Sequence, residues 1–101
     1  MSDPGARLEV SATQTGWELR GEIDAHTAPT LAAAMKELPA GVVTVDVAGV
    51  SFMDSSGLRV LIEAATRARE SDGDLVIVHS TPGIARLVEI SGLGGQLKLD
   101  S

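Results

Sequence analysis

The chain begins with two runs in which apolar and polar residues alternate. Leu8, Val10 and Ala12 form the first run, and the second extends from Trp17 to Ile23. A period of two places the apolar side chains on one face of a β-strand and the polar ones on the other. Because the turn-forming pair Thr15-Gly16 separates the runs, we expect a hairpin, with part of one sheet face exposed to water.

Three later segments carry apolar residues at the three-and-four spacing of an amphipathic helix. The stripes are Leu31, Met35 and Leu38 in the first helix; Leu58, Leu61, Ile62 and Ala65 in the second; and Ile84, Leu87 and Val88 in the third. The residues that start and stop these helices are Thr27-Ala28-Pro29 and Pro39-Ala40-Gly41, Asp54 and Asp72-Gly73, and Thr81-Pro82 and Gly92. We expect Thr27 or Thr30 to cap the first helix, and Gly92 to end the third in a left-handed conformation.

Apolar runs between and after the helices predict three more strands. Residues 42–47 and 75–78 form two of them, and Leu97 and Leu99 indicate the last. The unbroken run at 75–78 is expected to be covered on both faces. The order β-β-α-β-α-β-α-β predicts an α/β fold with parallel pairing and right-handed crossovers from the third strand onward. We expect one domain, residues 1–101, with a flexible N-terminus at residues 1–6.

Composition and charge narrow the possible partners. The chain has 8 basic and 14 acidic residues, a formal net charge of −6, and its only aromatic residues are Trp17 and Phe52. An acidic surface repels nucleic acid and anionic lipid, so we expect neither as a partner, and it suits a protein with a basic patch. The sequence has no cysteine, no recognisable signal peptide and no apolar stretch of membrane-spanning length, which predicts a cytoplasmic protein without membrane insertion.

The tetrapeptide Asp54-Ser55-Ser56-Gly57 lies between a predicted strand and the second predicted helix. Asp54 is a favourable N-cap residue, which puts both serines in the first helical turn. Their hydroxyl groups would lie at the carboxyl end of a strand, where open α/β sheets place their binding sites. A phosphate there would face free backbone N–H groups and add a charge of about −1.5 to −2 without melting the helix. By themselves, these residues fit either a plain helix cap or a phosphorylated docking site.

Four segments, in this order, resemble the STAS domain family and, within it, the bacterial anti-sigma factor antagonists. They are Gly21-Glu22-Ile23-Asp24, Thr27-Ala28-Pro29, Phe52-Met53-Asp54-Ser55-Ser56-Gly57-Leu58 and Ser91-Gly92-Leu93. Together with the order of elements, the resemblance covers residues 7 to 99. It implies a single STAS domain with a mixed, mostly parallel sheet of about five strands and helices packed mainly on one face.

The resemblance also implies a regulatory cycle in which this chain is not an enzyme. The unphosphorylated protein would bind an anti-sigma factor that is a serine kinase of the histidine-kinase-like ATPase type, and so regulate sigma-factor-dependent transcription. Phosphorylation of the second serine, Ser56, would release this partner, and a serine phosphatase would restore binding. The implied contact residues are Asp24, Asp54, Ser55, Ser56 and Gly57. No cofactor and no metal are implied.

Other functions fit the residues less well. A serine hydrolase needs a histidine and an acid beside its serine, and neither His26 nor His79 belongs to such a motif. The sequence lacks a phosphate-binding Gly-x-x-x-x-Gly-Lys loop and shows no metal-ligand spacing. The main alternative keeps the fold and makes the chain a non-enzymatic STAS subunit of a membrane transporter or a larger signalling assembly.

The C-terminus differs from the family pattern. Members commonly carry a further helix after the last strand, whereas this sequence stops at Asp100-Ser101. How the last strand is covered, and whether its edge self-associates, is therefore open. We expect a monomer or a weak dimer.

Overall fold

The computed structural model describes residues 7–100, so the predicted flexible N-terminus at residues 1–6 lies outside the described residues. The described chain follows the predicted order of strands and helices. The strands are β1 Leu8–Ala12, β2 Gly16–Ile23, β3 Val42–Met53, β4 Asp74–Val78 and β5 Lys98–Asp100. The helices are α1 Ala28–Ala34, α2 Ser55–Glu70 and α3 Pro82–Ser91, with a 3₁₀ turn at Gly94–Gln96.

The sheet has the strand order β1-β2-β3-β4-β5. β1 and β2 pair antiparallel, and every later neighbour pairs parallel, which confirms the predicted mixed, mostly parallel sheet. Parallel pairing begins with β2, one strand earlier than predicted. Successive right-handed crossovers in one direction place their helices on one face, and α2 contacts both α1 and α3. The helices therefore form a single layer, as predicted.

The other face of the sheet is partly exposed. Val42 in β3 is 57% exposed, and Val76 and Val78 in β4 are half-buried, whereas Leu75 and Ile77 are buried under the helices. The prediction that β4 is covered on both faces is therefore wrong. Because the crossovers all lie on one side, no helix of the described chain covers the second face. The expectation that one face of the sheet is partly wet is confirmed.

β3 is longer than predicted and runs without a break to the start of α2. The alternation of buried residues changes phase twice, at Ala48-Gly49 and at Ser51-Phe52, and the pairing with β2 shifts register at both places. The buried residues of the strand are Val43, Val45, Val47, Val50 and Met53. A β-bulge of this kind inserts a residue and turns the following side chains to the opposite face. Because β3 continues to Met53, residue 54 lies at the carboxyl end of the sheet.

α1 ends at Ala34, earlier than the predicted stripe to Leu38 requires. The Arg67 guanidinium, on α2, donates hydrogen bonds to the backbone carbonyls of Met35 and Lys36 at 3.1 and 3.0 Å. Basic side chains commonly satisfy the last carbonyls of a helix in this way. The carbonyls at the end of α1 are thus capped by a residue on the neighbouring helix.

Candidate functional site

The predicted site residues meet at the carboxyl ends of two adjacent parallel strands. Ile23, the last residue of β2, is aligned with Met53, the last residue of β3. The backbone N–H of Asp54 donates to the carbonyl of Ile23 at 3.0 Å. Asp24 and Asp54 therefore follow paired residues. The predicted position of the tetrapeptide, at a strand end and a helix start, is confirmed.

Asp54 is the N-cap of α2, as predicted. Its backbone is extended, with φ −111° and ψ −173°, and its Oδ1 accepts a hydrogen bond from the backbone N–H of Ser56 at 2.8 Å. Ser55 is exposed and Ser56 is half-buried, and both lie in the first helical turn. Within residues 7–100, neither serine hydroxyl has a hydrogen-bond partner. The fold uses the carboxylate of Asp54 and leaves both hydroxyl groups available for modification.

Gly57 is buried and lets α2 approach β2 closely. A β-carbon at this position would lie 2.5 Å from Cγ2 of Ile23 and 3.0 Å from Cγ of Met53. Real β-carbons essentially never show a contact of 2.5 Å, so only glycine fits here without repacking. The structure thus gives Gly57 a packing role, and the partner contact predicted for it stays a prediction.

Asp24 organises the turn that leads from β2 into α1. Its Oδ1 accepts hydrogen bonds from the backbone N–H groups of His26 and Thr27 at 2.9 and 3.0 Å. The Thr27 hydroxyl accepts from the Asp24 N–H at 3.0 Å and donates to the carbonyl of Glu22 at 2.9 Å. Arg7 pairs with the other carboxylate oxygen of Asp24.

This turn changes two sequence predictions. The prediction that Thr27 or Thr30 caps α1 is wrong: Thr27 occupies the N-cap position, but its side chain makes no capping bond to the helix. Its hydroxyl points back into the turn, because the Asp24 N–H and the Glu22 carbonyl need partners there. The Asp24 side chain is 18% exposed and already engaged, so the partner contact predicted for Asp24 stays a prediction.

The hydrogen bonds to Asp24 predict a dependence of stability on pH. The Thr27 backbone N–H, helped by Arg7, lowers the pKa of Asp24 below its ordinary value of 3.8. A carboxylate with a lowered pKa in the folded state stabilises the protein above its unfolded-state pKa, and this contribution is lost as the pH falls through the folded-state pKa. We expect Asp24→Asn to be less stable than wild type at pH 7. The difference should shrink below pH 3.8 in urea unfolding curves. Equal pH slopes for the two proteins would contradict the assigned hydrogen bonds.

Two cavities flank the start of α2. The first, here called the serine cavity, has a volume of about 400 Å³ and lies between α1 and α2. Its lining includes Ala25, Ala28, Pro29, Ser55, Ser56 and Arg59. The second, here called the α3 groove, has a volume of about 290 Å³ and lies between the end of β3 and α3. Its lining includes Phe52, Met53, Ile84, Arg86, Leu87 and Ile90.

Sequence reasoning did not find the α3 groove. Phe52 is 52% exposed and Ile90 is 69% exposed, and they belong to the few large apolar side chains of the described chain that face solvent. The signal in the sequence is weak, because Phe52 continues an apolar strand and Ile90 adjoins the stripe of α3. The two side chains line the same groove, so apolar surface faces solvent beside the end of β3.

The surroundings of Ser56 are less acidic than the whole chain. Arg59 lines the serine cavity and Arg86 lines the α3 groove. Neither arginine forms an ion pair or a side-chain hydrogen bond within residues 7–100, where the ion pairs use other basic residues. A net charge of −6 therefore coexists with one unpaired cation in the cavity that Ser56 lines and a second in the α3 groove.

Two features are absent from residues 7–100. No helix in this part of the chain is long and apolar enough to cross a membrane. No three histidine or carboxylate side chains in it come together as metal ligands could.

Comparisons with known proteins agree with the fold. A family model described as "Mlab, STAS domain" matches residues 7–99. An anti-sigma-B factor antagonist of Listeria monocytogenes is 37% identical over 82 aligned positions, and the alignment covers 78% of this chain and 72% of that protein. The crystal structure of an anti-sigma factor antagonist from Mycobacterium paratuberculosis matches with a TM-score of 0.73 at 25% identity, over 98% of this chain and 89% of that one.

A third neighbour shows the same fold at lower identity. The phosphorylated form of the Bacillus cell fate determinant SpoIIAA matches with a TM-score of 0.65 at 19% identity, over 93% of this chain and 91% of that one. The family model spans the sheet, the helices and the Asp-Ser-Ser-Gly segment together. This chain therefore belongs to the STAS domain family, as the four sequence segments predicted.

Proposed function

We propose that this protein is an anti-sigma factor antagonist, which binds an anti-sigma factor while Ser56 is unphosphorylated. The observation that carries the proposal is the start of α2, where the Ser56 side chain lines the serine cavity and its hydroxyl has no partner in residues 7–100. The Listeria and Mycobacterium relatives are called anti-sigma factor antagonists, which supports this role over that of a transporter subunit.

The binding face would include both cavities. A stable protein interface buries about 800 Å² on each partner, far more than two serine side chains supply. A partner that covers Ser56 would therefore also cover the α3 groove, where Phe52 and Ile90 are exposed. Aromatic residues and arginines are enriched at interface cores, and Phe52, Arg59 and Arg86 have this character.

Phosphorylation of Ser56 would release the partner through the negative charge that it adds to the binding face. The partner in this proposal is an anti-sigma factor of the serine-kinase ATPase type, which transfers a phosphate to Ser56 and then dissociates. The phosphate adds about −1.5 to −2 charges at the centre of the binding face. Because the Ser56 hydroxyl supports no hydrogen bond of the described fold, this change leaves the fold intact. A serine phosphatase would reverse it.

This role needs no catalysis by the chain itself. Among the described residues that line the serine cavity, Arg59 is the one titratable side chain. An arginine stays protonated and does not serve as a general base for Ser55 or Ser56. The proposed role is exercised in the cytoplasm, where sigma factors direct transcription.

A phosphorylation assay tests the proposal. We expect a cognate anti-sigma factor kinase, supplied with ATP, to place one phosphate on the wild-type protein, and mass spectrometry to locate it on Ser56. Ser56→Ala should bind the kinase and remain unmodified. Ser55→Ala is the matched control, because it removes the neighbouring hydroxyl, and it should be phosphorylated like wild type. Phosphate on Ser55 with Ser56 unmodified would overturn the assignment.

A further inference from the structure

Arg59 is the one charged side chain among the described residues that line the serine cavity. It is exposed and forms no ion pair within residues 7–100. Its position in α2 is one helical turn after Ser56. We propose that Arg59 binds the phosphate group of phosphorylated Ser56 in the same chain. This inference rests on Ser56 being the modified residue, as proposed above.

Helix geometry brings the two groups together. Residues three apart on an α-helix lie on the same face, with their β-carbons about 5–6 Å from each other. Long helical side chains lean toward the N-terminus of the helix, which for Arg59 is the direction of Ser56. The guanidinium group carries donors in a planar fork that matches two phosphate oxygens. The pairing therefore needs a side-chain rotation and no movement of the backbone.

Among the charged side chains near the start of α2, Arg59 is the one available as counter-ion for the phosphate on Ser56. The carboxylate of Asp54 lies at the same helix start, bound to the Ser56 N–H at 2.8 Å, and would repel the phosphate. Arg7 is held by Glu22 and Asp24. Arg86 lines the α3 groove, on the other side of the start of α2. Arg59 is thus the unpaired cation on the cavity that Ser56 itself lines.

The pairing has a regulatory consequence. Free phosphoserine has a second pKa of about 6, so part of it is a monoanion near neutral pH. A neighbouring guanidinium favours the dianion and lowers this second pKa. Arg59 would therefore keep the phosphate doubly charged at cytoplasmic pH. It would also hold the phosphate against the serine cavity, where the partner has to dock.

The test uses the isolated protein with phosphoserine incorporated at residue 56 during translation. It needs neither kinase nor partner, so its failure is distinct from a failure of the proposed function. We expect ³¹P NMR titration to give a second phosphate pKa about 0.5 to 1 unit lower in wild type than in Arg59→Gln. Arg86→Gln, which removes one positive charge at the other cavity, should titrate like wild type.

A second measurement separates direct contact from a general charge effect. Phosphorylation should shift the ¹⁵N–¹H Nε resonance of Arg59 and leave that of Arg86 in place. Equal phosphate pKa values in wild type and Arg59→Gln, with both proteins shown to be folded by circular dichroism, would overturn the proposal. Equal pKa changes in Arg59→Gln and Arg86→Gln would also overturn it, because they would indicate long-range charge alone.

Discussion

Replacing Gly57 with alanine is expected to lower the free energy of unfolding by about 1–3 kcal/mol, although alanine is the better helix former. The added β-carbon would lie 2.5 Å from Cγ2 of Ile23 and 3.0 Å from Cγ of Met53. Both neighbours are buried residues of adjacent strands, so relief requires α2 to move away from the sheet. The loss should appear as a lower urea midpoint with an unchanged m-value, since the surface exposed on unfolding stays the same.

Gly83 provides the matched control, because it also lies in the first turn of a helix. A β-carbon at residue 83 would meet its nearest neighbour, Oγ1 of Thr81, at 4.0 Å. Gly83→Ala is therefore expected to be neutral or to stabilise the protein by up to about 1 kcal/mol. Equal losses in both variants would show that the close approach of α2 to β2 is not the cause.

The order of elements could be predicted because its signals are local. A period of two identifies β1 and β2 from neighbouring residues alone. The caps of α2 and α3 were also predicted: Asp54 accepts from the N–H of Ser56, and Thr81 accepts from that of Ile84. Gly92 ends α3 with φ 74°, in the left-handed region that glycine favours. Each of these features depends on residues within one helical turn.

The features that were missed depend on residues far apart in the chain. α1 ends before its predicted stripe does, and Arg67, on another helix, binds the carbonyls of Met35 and Lys36 that follow it. The pairing of β3 with β2 shifts register, and the alternation within one strand does not show how that strand is aligned with its neighbour. The open face of β4 follows from the direction of all the crossovers, while its own sequence reads as a fully buried strand.

In the candidate site, too, the local features could be predicted and the contacts between distant residues could not. That Asp54-Ser55-Ser56-Gly57 starts a helix at a strand end could be predicted from capping rules and the preceding apolar run. The engagement of Asp24 by Arg7 joins residues distant in sequence, so the spacing of residues gave no sign of it. The three-residue interval from Ser56 to Arg59 is visible in the sequence, but the absence of another ion-pair partner for Arg59 within residues 7–100 required the structure.

Ser56→Asp is expected to weaken binding to the cognate anti-sigma factor by roughly 10- to 100-fold, or about 1.5–3 kcal/mol. The introduced carboxylate would put one negative charge at the centre of the proposed face, beside the carboxylate of Asp54. A full swing from mostly bound to mostly free needs about 5.5 kcal/mol, so the more highly charged phosphoserine should release the partner more completely than aspartate does. Titration calorimetry of the anti-sigma factor against wild type, Ser56→Asp and the protein phosphorylated at Ser56 measures both losses of affinity.

The variant Gln96→Glu separates the effect of the position of the added charge on binding affinity from the effect of net charge. This near-isosteric change adds the same single charge to the chain, but residue 96 precedes β5 and so lies at the amino end of the parallel strands, opposite Ser56. It should leave the affinity close to wild type. Ser56→Asp should also unfold within about 0.5 kcal/mol of wild type, because an acidic residue in the first turn suits the helix dipole. Equal losses of affinity in the two variants would mean that overall charge, and not a docking face at the start of α2, controls binding. Weaker binding confined to Ser56→Asp, with unfolding unchanged, places the switch at the surface of an intact fold.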